Sequence, residues 1–187
     1  FGATLCLTYS ESASHCPESS SVRNTGNPIR RSIARLAIDP TQESSILAAR
    51  TLLVLGGSQG AQAINNAVLQ LVEKHRELLQ DWRIVHQTGE MDVERIRTEY
   101  VRLGMKAVVG SFFDEMTPIY QEAGLVISRA GGTTLSELAC AGLPAVLVPY
   151  PHAKDDHQTA NAQVFVKAGA AVTVELSTNH TGDERFV

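Results

Sequence analysis

Several features that would place this 187-residue chain in a class at once are missing from its sequence. No run of about 18 apolar residues occurs, so nothing in the sequence predicts a membrane-spanning helix. The net charge is −4, so the excess of basic residues typical of nucleic-acid-binding proteins is absent. The cysteines at positions 6, 16 and 140 form no Cys-x-x-Cys pair, which favours free thiols in a reducing compartment over a disulfide framework.

The common nucleotide-binding motifs are also missing. The segment GGSQG at residues 56–60 follows a predicted strand, but it is neither Gly-x-Gly-x-x-Gly nor a P-loop, since no Lys-Ser or Lys-Thr follows it. The next predicted strand ends in His86-Gln87 and not in the acidic residue that binds the ribose of a dinucleotide. The sequence therefore argues against NAD and ATP sites. A glycine-rich junction before a helix can still bind another anion, or it can be a tight turn without a ligand.

What the sequence does contain is a regular alternation of strands and helices from Thr51 onwards. Strands are predicted at 51–55, 82–87, 107–112, 125–128, 144–150 and 171–175, and helices at 61–78, 91–104, 114–124, 133–142 and 156–169. Short apolar strands that alternate with amphipathic helices predict an α/β fold, a doubly wound, Rossmann-like parallel sheet covered on both faces. Ligands of such folds bind at the carboxyl ends of the strands.

The first fifty residues have a different character. Residues 10–27 are rich in Ser, Asn and Gly, a strand is predicted at about 4–8, and a short basic helix is predicted at 30–36. We therefore expect residues 1–50 to be the remnant of a preceding domain with an interdomain linker, and residues 51–187 to be the sheet domain. The polar segment 178–187 is predicted to be a tail of a domain truncated at its C-terminus.

A pair of glycines marks the strongest candidate site. Gly131 and Gly132 come just before a predicted helix, whose N-terminus attracts anions. Glu137, one turn into that helix, can accept hydrogen bonds from the two hydroxyls of a ribose. The same spacing, Thr134-x-x-Glu137, also fits a capping box in which the glutamate binds the backbone at the helix start. The residues alone do not separate these two interpretations.

A second polar loop precedes the helix predicted at 156–169. His152, His157 and two neighbouring aspartates resemble metal ligands, but their spacing fits no zinc motif, and no metal site is predicted. An aspartate that caps the helix is one alternative. A polar rim in which His157, Gln158 and Asn161 bind sugar hydroxyls is another.

Three further side chains have open roles. Phe112 and Phe113, at the end of the strand predicted at 107–112, can cover a nucleotide base or belong to the core. Arg129 can pair with a phosphate or with a carboxylate. The joint position of all these loops at one edge of the sheet is the main argument for a ligand site.

Four segments together resemble the MurG family of glycosyltransferases. They are TGNPIR (25–30), LGGSQGAQAIN (55–65), FFDEM (112–116) and SRAGGTTLSELACAGLPAVLVPYPHAKDDHQTANA (128–162). The last block is specific, whereas GGSQG alone would not be. The resemblance implies a GT-B fold, with this chain as its C-terminal, donor-binding half. It also implies transfer of N-acetylglucosamine (GlcNAc) from UDP-GlcNAc to lipid I, which forms lipid II for peptidoglycan and so serves cell shape and division.

The resemblance also assigns roles to individual residues. Glu137 would bind the ribose hydroxyls, the backbone of Phe113 would bind the uracil edge, and the helix start at Gly132 would hold the diphosphate together with Ser58 and Arg30. The complete set of expected UDP-GlcNAc ligands is Arg30, Ser58, Phe113, Gly132, Thr133, Thr134, Leu135, Ser136, Glu137, His157, Gln158 and Asn161. The last three of these would contact the sugar. The resemblance implies no metal, no cofactor and no catalytic base within this chain.

In the MurG family the acceptor site, the membrane-contacting patch and the proposed catalytic base lie in an N-terminal domain. Only the last strand and the linker of that domain are recognised in this sequence. The implied reaction inverts the anomeric carbon, because the 4-hydroxyl of the lipid I muramyl sugar attacks C1 of GlcNAc as UDP leaves. We therefore expect a fragment, inactive alone, of an enzyme that sits peripherally at the cytoplasmic face of the plasma membrane.

Several alternatives remain open from the sequence. The chain can be the donor-binding subunit of a split GlcNAc transferase that needs a partner chain. It can belong to another GT-B enzyme that uses a different UDP-sugar, or to a UDP-GlcNAc epimerase. An inactive remnant is the last alternative.

Overall fold

The computed structural model describes residues 4–18, 20–37, 49–56, 62–151, 153, 156–178 and 184–186. Its strands are β1 (Thr4–Leu7), β2 (Ser21–Asn24), β3 (Thr51–Leu55), β4 (Arg83–Gln87), β5 (Lys106–Gly110), β6 (Leu125–Ser128), β7 (Ala145–Leu147), β8 (Ala171–Thr173), β9 (Leu176–Thr178) and β10 (Glu184–Phe186). Its helices are α1 (Arg31–Ala34), α2 (Gln62–Lys74), α3 (Arg76–Leu79), α4 (Val93–Arg102), α5 (Thr117–Glu122), α6 (Gly132–Ala141) and α7 (His157–Lys167), with 3-10 turns at Ser10–His15 and Glu90–Asp92. None of the helices in these ranges is long and apolar enough to cross a membrane.

Six parallel strands form the main sheet, in the order β5-β4-β3-β6-β7-β8. The chain moves outward from β3 to β5 and then returns, so the strand order reverses between β3 and β6. All five residues of β3 are buried, as a central strand covered on both faces requires. The doubly wound parallel sheet predicted from the sequence is therefore confirmed.

Side chains on the two sides of β3 enter two separate cores, because successive residues of a strand point to opposite faces. Leu52 and Val54 pack with buried residues of α2 and α4. Leu53 and Leu55 pack with buried residues of α1, α5, α6 and α7. The helices therefore form one layer on each face, and their N-termini after β3 and β6 lie at the carboxyl edge of the sheet.

Two small sheets differ from the sequence-based expectation. No strand or helix was predicted within residues 10–27, but they contain a 3-10 turn and β2, which pairs in parallel with β1. The segment 178–187 was predicted to be a tail, but it contains β10, which pairs antiparallel with β9 beside α2. Both predictions were wrong because strands such as Ser-Val-Arg-Asn and Glu-Arg-Phe are too short and polar to show an alternating pattern.

A buried polar network joins α2, β4 and α4. The side chains of Asn65 and His86 are fully buried. Asn65 Oδ1 lies 3.0 Å from His86 Nε2, and the Tyr100 hydroxyl lies 2.8 Å from His86 Nδ1. Because an amide oxygen only accepts, Nε2 carries the proton of a neutral imidazole and Tyr100 donates to Nδ1. Asn65 Nδ2 donates to the Thr88 carbonyl (3.0 Å) and to Asp92 Oδ2 (2.8 Å), so the network fixes the start of α2 against the end of β4.

The buried histidine predicts how stability depends on pH. Burial lowers the pKa of His86 from 6.5 to about 3, while the charge of Asp92 raises it and that of Arg95 lowers it further. The unfolded chain therefore binds a proton below about pH 6.5 that the folded chain does not, and stability falls as the pH falls.

We expect this histidine to contribute a loss of about 1.4 kcal/mol in the free energy of unfolding between pH 7.5 and 5.5. Urea unfolding of the wild type and of His86→Gln at both pH values measures it. The variant should be less stable overall but should lose less stability on acidification. An equal loss in both proteins would contradict the assignment.

Candidate functional site

The candidate site lies at the carboxyl edge of the sheet, where the order of strands reverses between β3 and β6. Ligands of doubly wound sheets bind at this position, because the loops after the two strands leave in opposite directions and open a crevice. The loops after β4, β5, β6 and β7 and the segment that leads into α1 contribute described residues to this edge. Residues 57–60 of the predicted loop after β3, which include Ser58, lie outside the described residues.

Helix α6 begins directly at the glycine pair. Gly131 is the extended N-cap residue, and the first helical hydrogen bond runs from the Leu135 N–H to the Gly131 carbonyl (3.0 Å). The N–H groups of Gly132, Thr133 and Thr134 therefore precede the helical hydrogen-bond ladder and point out of the helix start. Together with the helix dipole, they form a site of positive potential suited to an anion.

The capping-box interpretation of this segment was wrong. The helix starts at Gly132, so Thr134 already lies inside it, and no side chain caps the N-terminus. Glu137 lies in the second turn, and its side chain leaves the helix axis for the neighbouring α5. The two glycines explain the difference, because they allow the chain to turn into the helix before Thr134.

Glu137 is a largely buried carboxylate at this edge, with 8% of its surface exposed. The Tyr120 hydroxyl donates to Glu137 Oε2 over 2.8 Å. Burial raises the pKa of Tyr120, the hydrogen bond and the charge of Glu137 raise it further, and the charge of Arg30 acts in the opposite direction. Tyr120 therefore remains a proton donor, and the position of one carboxylate oxygen is fixed.

The segment before α1 is tied to the site at two points. Asn27 Nδ2 donates to Thr133 Oγ1 over 3.2 Å, which connects the segment to the start of α6. Arg30 donates from a terminal guanidinium nitrogen to the Asp114 carbonyl over 2.6 Å, which connects it to the loop after β5. Arg30 thus lies at the edge of the sheet that carries the candidate site. In this structure its partner is the loop that carries Phe113, whereas the sequence predicted a role in binding a diphosphate.

The loop after β5 is hydrogen-bonded to a buried glutamine. Gln87, 6% exposed at the end of β4, accepts the Phe113 N–H at Oε1 over 3.2 Å. The Phe113 ring packs on Gly110 and on the core, whereas Phe112 is 49% exposed, so the core interpretation fails for Phe112. Sequence reasoning missed the role of Gln87. A glutamine at the end of an apolar strand could have indicated this role, because a buried amide must find hydrogen-bond partners.

The loops after β6 and β7 are clamped together by α7. Gln158 Oε1 accepts the N–H groups of Ala130 (3.2 Å) and Tyr150 (3.0 Å). Asn161 Nδ2 donates to the Ala130 carbonyl over 3.1 Å. Two of the predicted sugar ligands therefore bind the backbone next to the glycine pair, so they shape the site as well as border it.

Arg129 joins the same two loops from the other side. Its guanidinium donates to the carbonyls of Val148 (3.1 Å) and Pro149 (3.2 Å) and lies 5.4 Å from the centre of the Tyr150 ring. These contacts give Arg129 a part in shaping the loop after β7.

The start of α7 has an unusual backbone. Asp156 occupies the N-cap position, but no side chain caps the helix there, and its φ of 51° lies in the left-handed region. Its carboxylate accepts the Thr159 hydroxyl (2.6 Å) instead of capping the backbone. His157 follows as an exposed residue at the edge of the site. His152 and Asp155 lie outside the described residues, and the described part of the chain contains no cluster of three metal-binding side chains.

Comparison with protein families identifies the family to which the chain belongs. The model of the glycosyltransferase family 28 C-terminal domain matches residues 51–182. The chain belongs to this family. The family 28 match covers the whole main sheet and the helices on both of its faces.

Relatives of the family 28 domain carry a specific name. The UDP-N-acetylglucosamine--N-acetylmuramyl-(pentapeptide) pyrophosphoryl-undecaprenol N-acetylglucosamine transferase of Syntrophotalea carbinolica is 42% identical over 171 residues, which are 91% of this chain and 46% of the relative. The protein of the same name from Lawsonia intracellularis is 48% identical over 160 residues, which are 83% of this chain and 42% of the relative. The chain therefore spans about half the length of the curated relatives it matches.

Solved structures agree with the family 28 assignment. The crystal structure of Acinetobacter baumannii MurG matches with a TM-score of 0.67 and 28% identity, over 92% of this chain and 46% of that chain. The glycosyltransferase SnogD from Streptomyces nogalater matches with a TM-score of 0.53 over 91% of this chain and 43% of that chain, but its 17% identity shows the fold alone. The fold is that of the C-terminal half of a GT-B glycosyltransferase, as predicted.

The structure brings most of the predicted site residues of this family 28 domain to one edge. Two of them have roles inside the fold. Leu135 is fully buried in the core and its N–H belongs to the helix, while the Ser136 hydroxyl donates to the Gly132 carbonyl over 2.8 Å. The Leu135 side chain therefore packs in the core, and the Ser136 hydroxyl is bound to the backbone of α6.

The contact between Phe113 and Gly110 gives a test of how the loop after β5 is supported. A Cβ atom at Gly110 would lie 2.8 Å from Cε1 of the Phe113 ring, so Gly110→Ala must displace the ring. We expect the free energy of unfolding to fall by about 1–3 kcal/mol. At Gly132 a Cβ atom would meet its nearest neighbour at 4.0 Å, so Gly132→Ala is the control and should be neutral or stabilising. Urea unfolding compares them, and equal stability of both variants would contradict this packing role.

Proposed function

We propose that this chain is the UDP-GlcNAc-binding part of an inverting glycosyltransferase that transfers GlcNAc to lipid I to form lipid II. The observation that supports this most is the combination of an open helix start at Gly132 with the buried carboxylate of Glu137 at the switch point of the sheet. The names of the relatives add the identity of donor and acceptor. In this proposal residues 51–187 are the donor-binding domain, and residues 1–50 are a linker with the end of the preceding domain.

Each part of the donor has a suitable partner at the site. The diphosphate lies at the N–H groups of Gly132, Thr133 and Thr134. The ribose hydroxyls donate to Glu137. The N3–H of uracil donates to the Phe113 carbonyl, because the Phe113 N–H is already bound to Gln87. Arg30 reaches the diphosphate when it exchanges the Asp114 carbonyl for a phosphate oxygen.

The sugar is bound from the start of α7. His157 is exposed beside the crevice, and Asn161 borders the glycine pair. Gln158 uses its oxygen to hold two backbone N–H groups, so its amide nitrogen is the group that it offers to a sugar hydroxyl. The proposal therefore keeps the polar rim predicted from the sequence, with the amide nitrogen of Gln158 as the group that contacts the sugar.

The chemistry follows from the charge that develops as the sugar leaves. When the acceptor hydroxyl attacks C1, negative charge grows on the diphosphate of the departing UDP. N–H donors already aligned at the start of α6 stabilise that charge without reorganisation. We assign lipid I binding, the catalytic base and a peripheral location at the cytoplasmic face of the membrane, in peptidoglycan synthesis, to the enzyme as a whole.

Calorimetric titration tests the proposal directly. We expect UDP-GlcNAc to bind this chain more tightly than UDP-glucose, because only its 2-acetamido group adds a polar contact for the rim at the start of α7. We expect NADH not to bind, because it carries no uracil for the backbone of Phe113. Binding of UDP and UDP-GlcNAc with equal affinity would remove the sugar subsite from the proposal. A folded sample that binds neither would remove the donor site.

The start of α6 can be tested without disturbing the fold. Gly132→Val adds a Cβ atom whose nearest neighbour, Asn161 Nδ2, would lie at 4.0 Å, an ordinary contact distance, so the variant should unfold at a denaturant concentration close to that of the wild type. It should nevertheless lose UDP binding, because the side chain occupies the place of the phosphate. Ala139→Val, at an exposed position two turns further along the same helix, is the control and should bind UDP normally. Wild-type affinity in Gly132→Val would contradict the phosphate assignment.

A further inference from the structure

The hydrogen bond between Tyr120 and Glu137 has a consequence for ligand choice. We propose that Tyr120 is a positioning residue that holds the Glu137 carboxylate toward a ribose diol, and that the pair makes the site select ribonucleotides over deoxyribonucleotides. This inference rests on the proposed function and adds the residue that sets the selectivity of the sugar-ring subsite.

Tyr120 is well placed to fix another side chain because it is itself immobile. It is 3% exposed on α5, and its ring packs in the core with Met116, Leu135 and Leu138. Its hydroxyl emerges from this core 2.8 Å from Glu137 Oε2. In the part of the chain that the structure describes, the Tyr120 hydroxyl is the donor that binds the Glu137 carboxylate. A glutamate with three rotatable side-chain bonds is thus anchored at one oxygen by a rigid donor.

The chemistry of the pair defines what the ligand must present. An ionised carboxylate accepts at about four lone-pair positions and donates none. Tyr120 occupies one of them on Oε2 and leaves Oε1 and the rest of the carboxylate for the ligand. Two adjacent hydroxyl donors match these positions, and each missing hydroxyl leaves part of a buried carboxylate without a partner, which is strongly unfavourable.

A charged neighbour lies near the anchor. The guanidinium of Arg30, held at the Asp114 carbonyl, acts electrostatically on Tyr120. Without the tyrosine hydroxyl, the carboxylate is free to turn toward this guanidinium and away from the ribose. Loss of the hydroxyl should therefore affect the ribose contact specifically.

The experiment compares UDP with 2′,3′-dideoxy-UDP by calorimetric titration. Tyr120→Phe should bind UDP about tenfold more weakly, the change expected from the loss of one hydrogen bond to a charged group. It should bind 2′,3′-dideoxy-UDP as the wild type does. Glu137→Gln should show the same pattern, and the double variant should bind UDP no more weakly than Glu137→Gln alone.

Tyr100→Phe is the matched control. Tyr100 is also a buried tyrosine whose hydroxyl bonds a buried polar side chain, but it lies in the core on the opposite face of the sheet. Its variant should lose stability and keep the preference of the wild type for UDP. A general effect of losing a buried hydroxyl would instead weaken both ligands or neither.

The outcomes distinguish the positioning role of Tyr120 from the assignment of the nucleotide site. Unchanged UDP affinity in Tyr120→Phe, with impaired binding in Glu137→Gln, would overturn the positioning role alone. An equal loss for both ligands in Tyr120→Phe would overturn it too, because that result describes a structural defect. Absence of UDP binding by the wild type would overturn the nucleotide assignment and this role with it.

Discussion

The complete burial of β3 is the constraint on which the rest of the structure depends. A strand with apolar partners on both faces cannot carry ligand-binding side chains along its length, so polar groups collect where the strands end. The reversal of strand order beside β3 then decides which of these ends open into a crevice. Binding groups from segments more than a hundred residues apart, such as Asn27 and Thr133, meet there for this reason.

The candidate site is built around buried and half-buried polar side chains whose hydrogen bonds hold its loops and its carboxylate in place. Gln87 holds the loop after β5, Gln158 and Asn161 hold the loops around Ala130, and Tyr120 holds Glu137. Each buried amide or carboxylate is stabilised only by having partners, so the same bonds that satisfy them also fix the geometry of the loops. We expect a preformed site of this kind to bind a charged ligand without first having to order its own loops.

The sequence predicted the main sheet because apolar strands and amphipathic helices alternate with clear periods from Thr51 onwards. It failed for β2 and β10, whose few polar residues show no period. At the site it predicted roles for Glu137 and the glycine pair but left two interpretations open, because Thr134-x-x-Glu137 fits a local cap and a ligand contact equally well. The start of α6 at Gly132 excludes the cap. The contact between Glu137 and Tyr120 was not predicted, because no local pattern reveals which residue of another helix will meet a given side chain.

The segment before α1 is fastened by Asn27 to the start of α6 and by Arg30 to the loop after β5. These two anchors are three residues apart in sequence, yet they hold parts of the crevice assigned to different ends of one ligand. A displacement of this segment therefore acts on the start of α6 and on the loop after β5 at the same time. The path by which the chain enters the domain is thus coupled to the shape of the crevice.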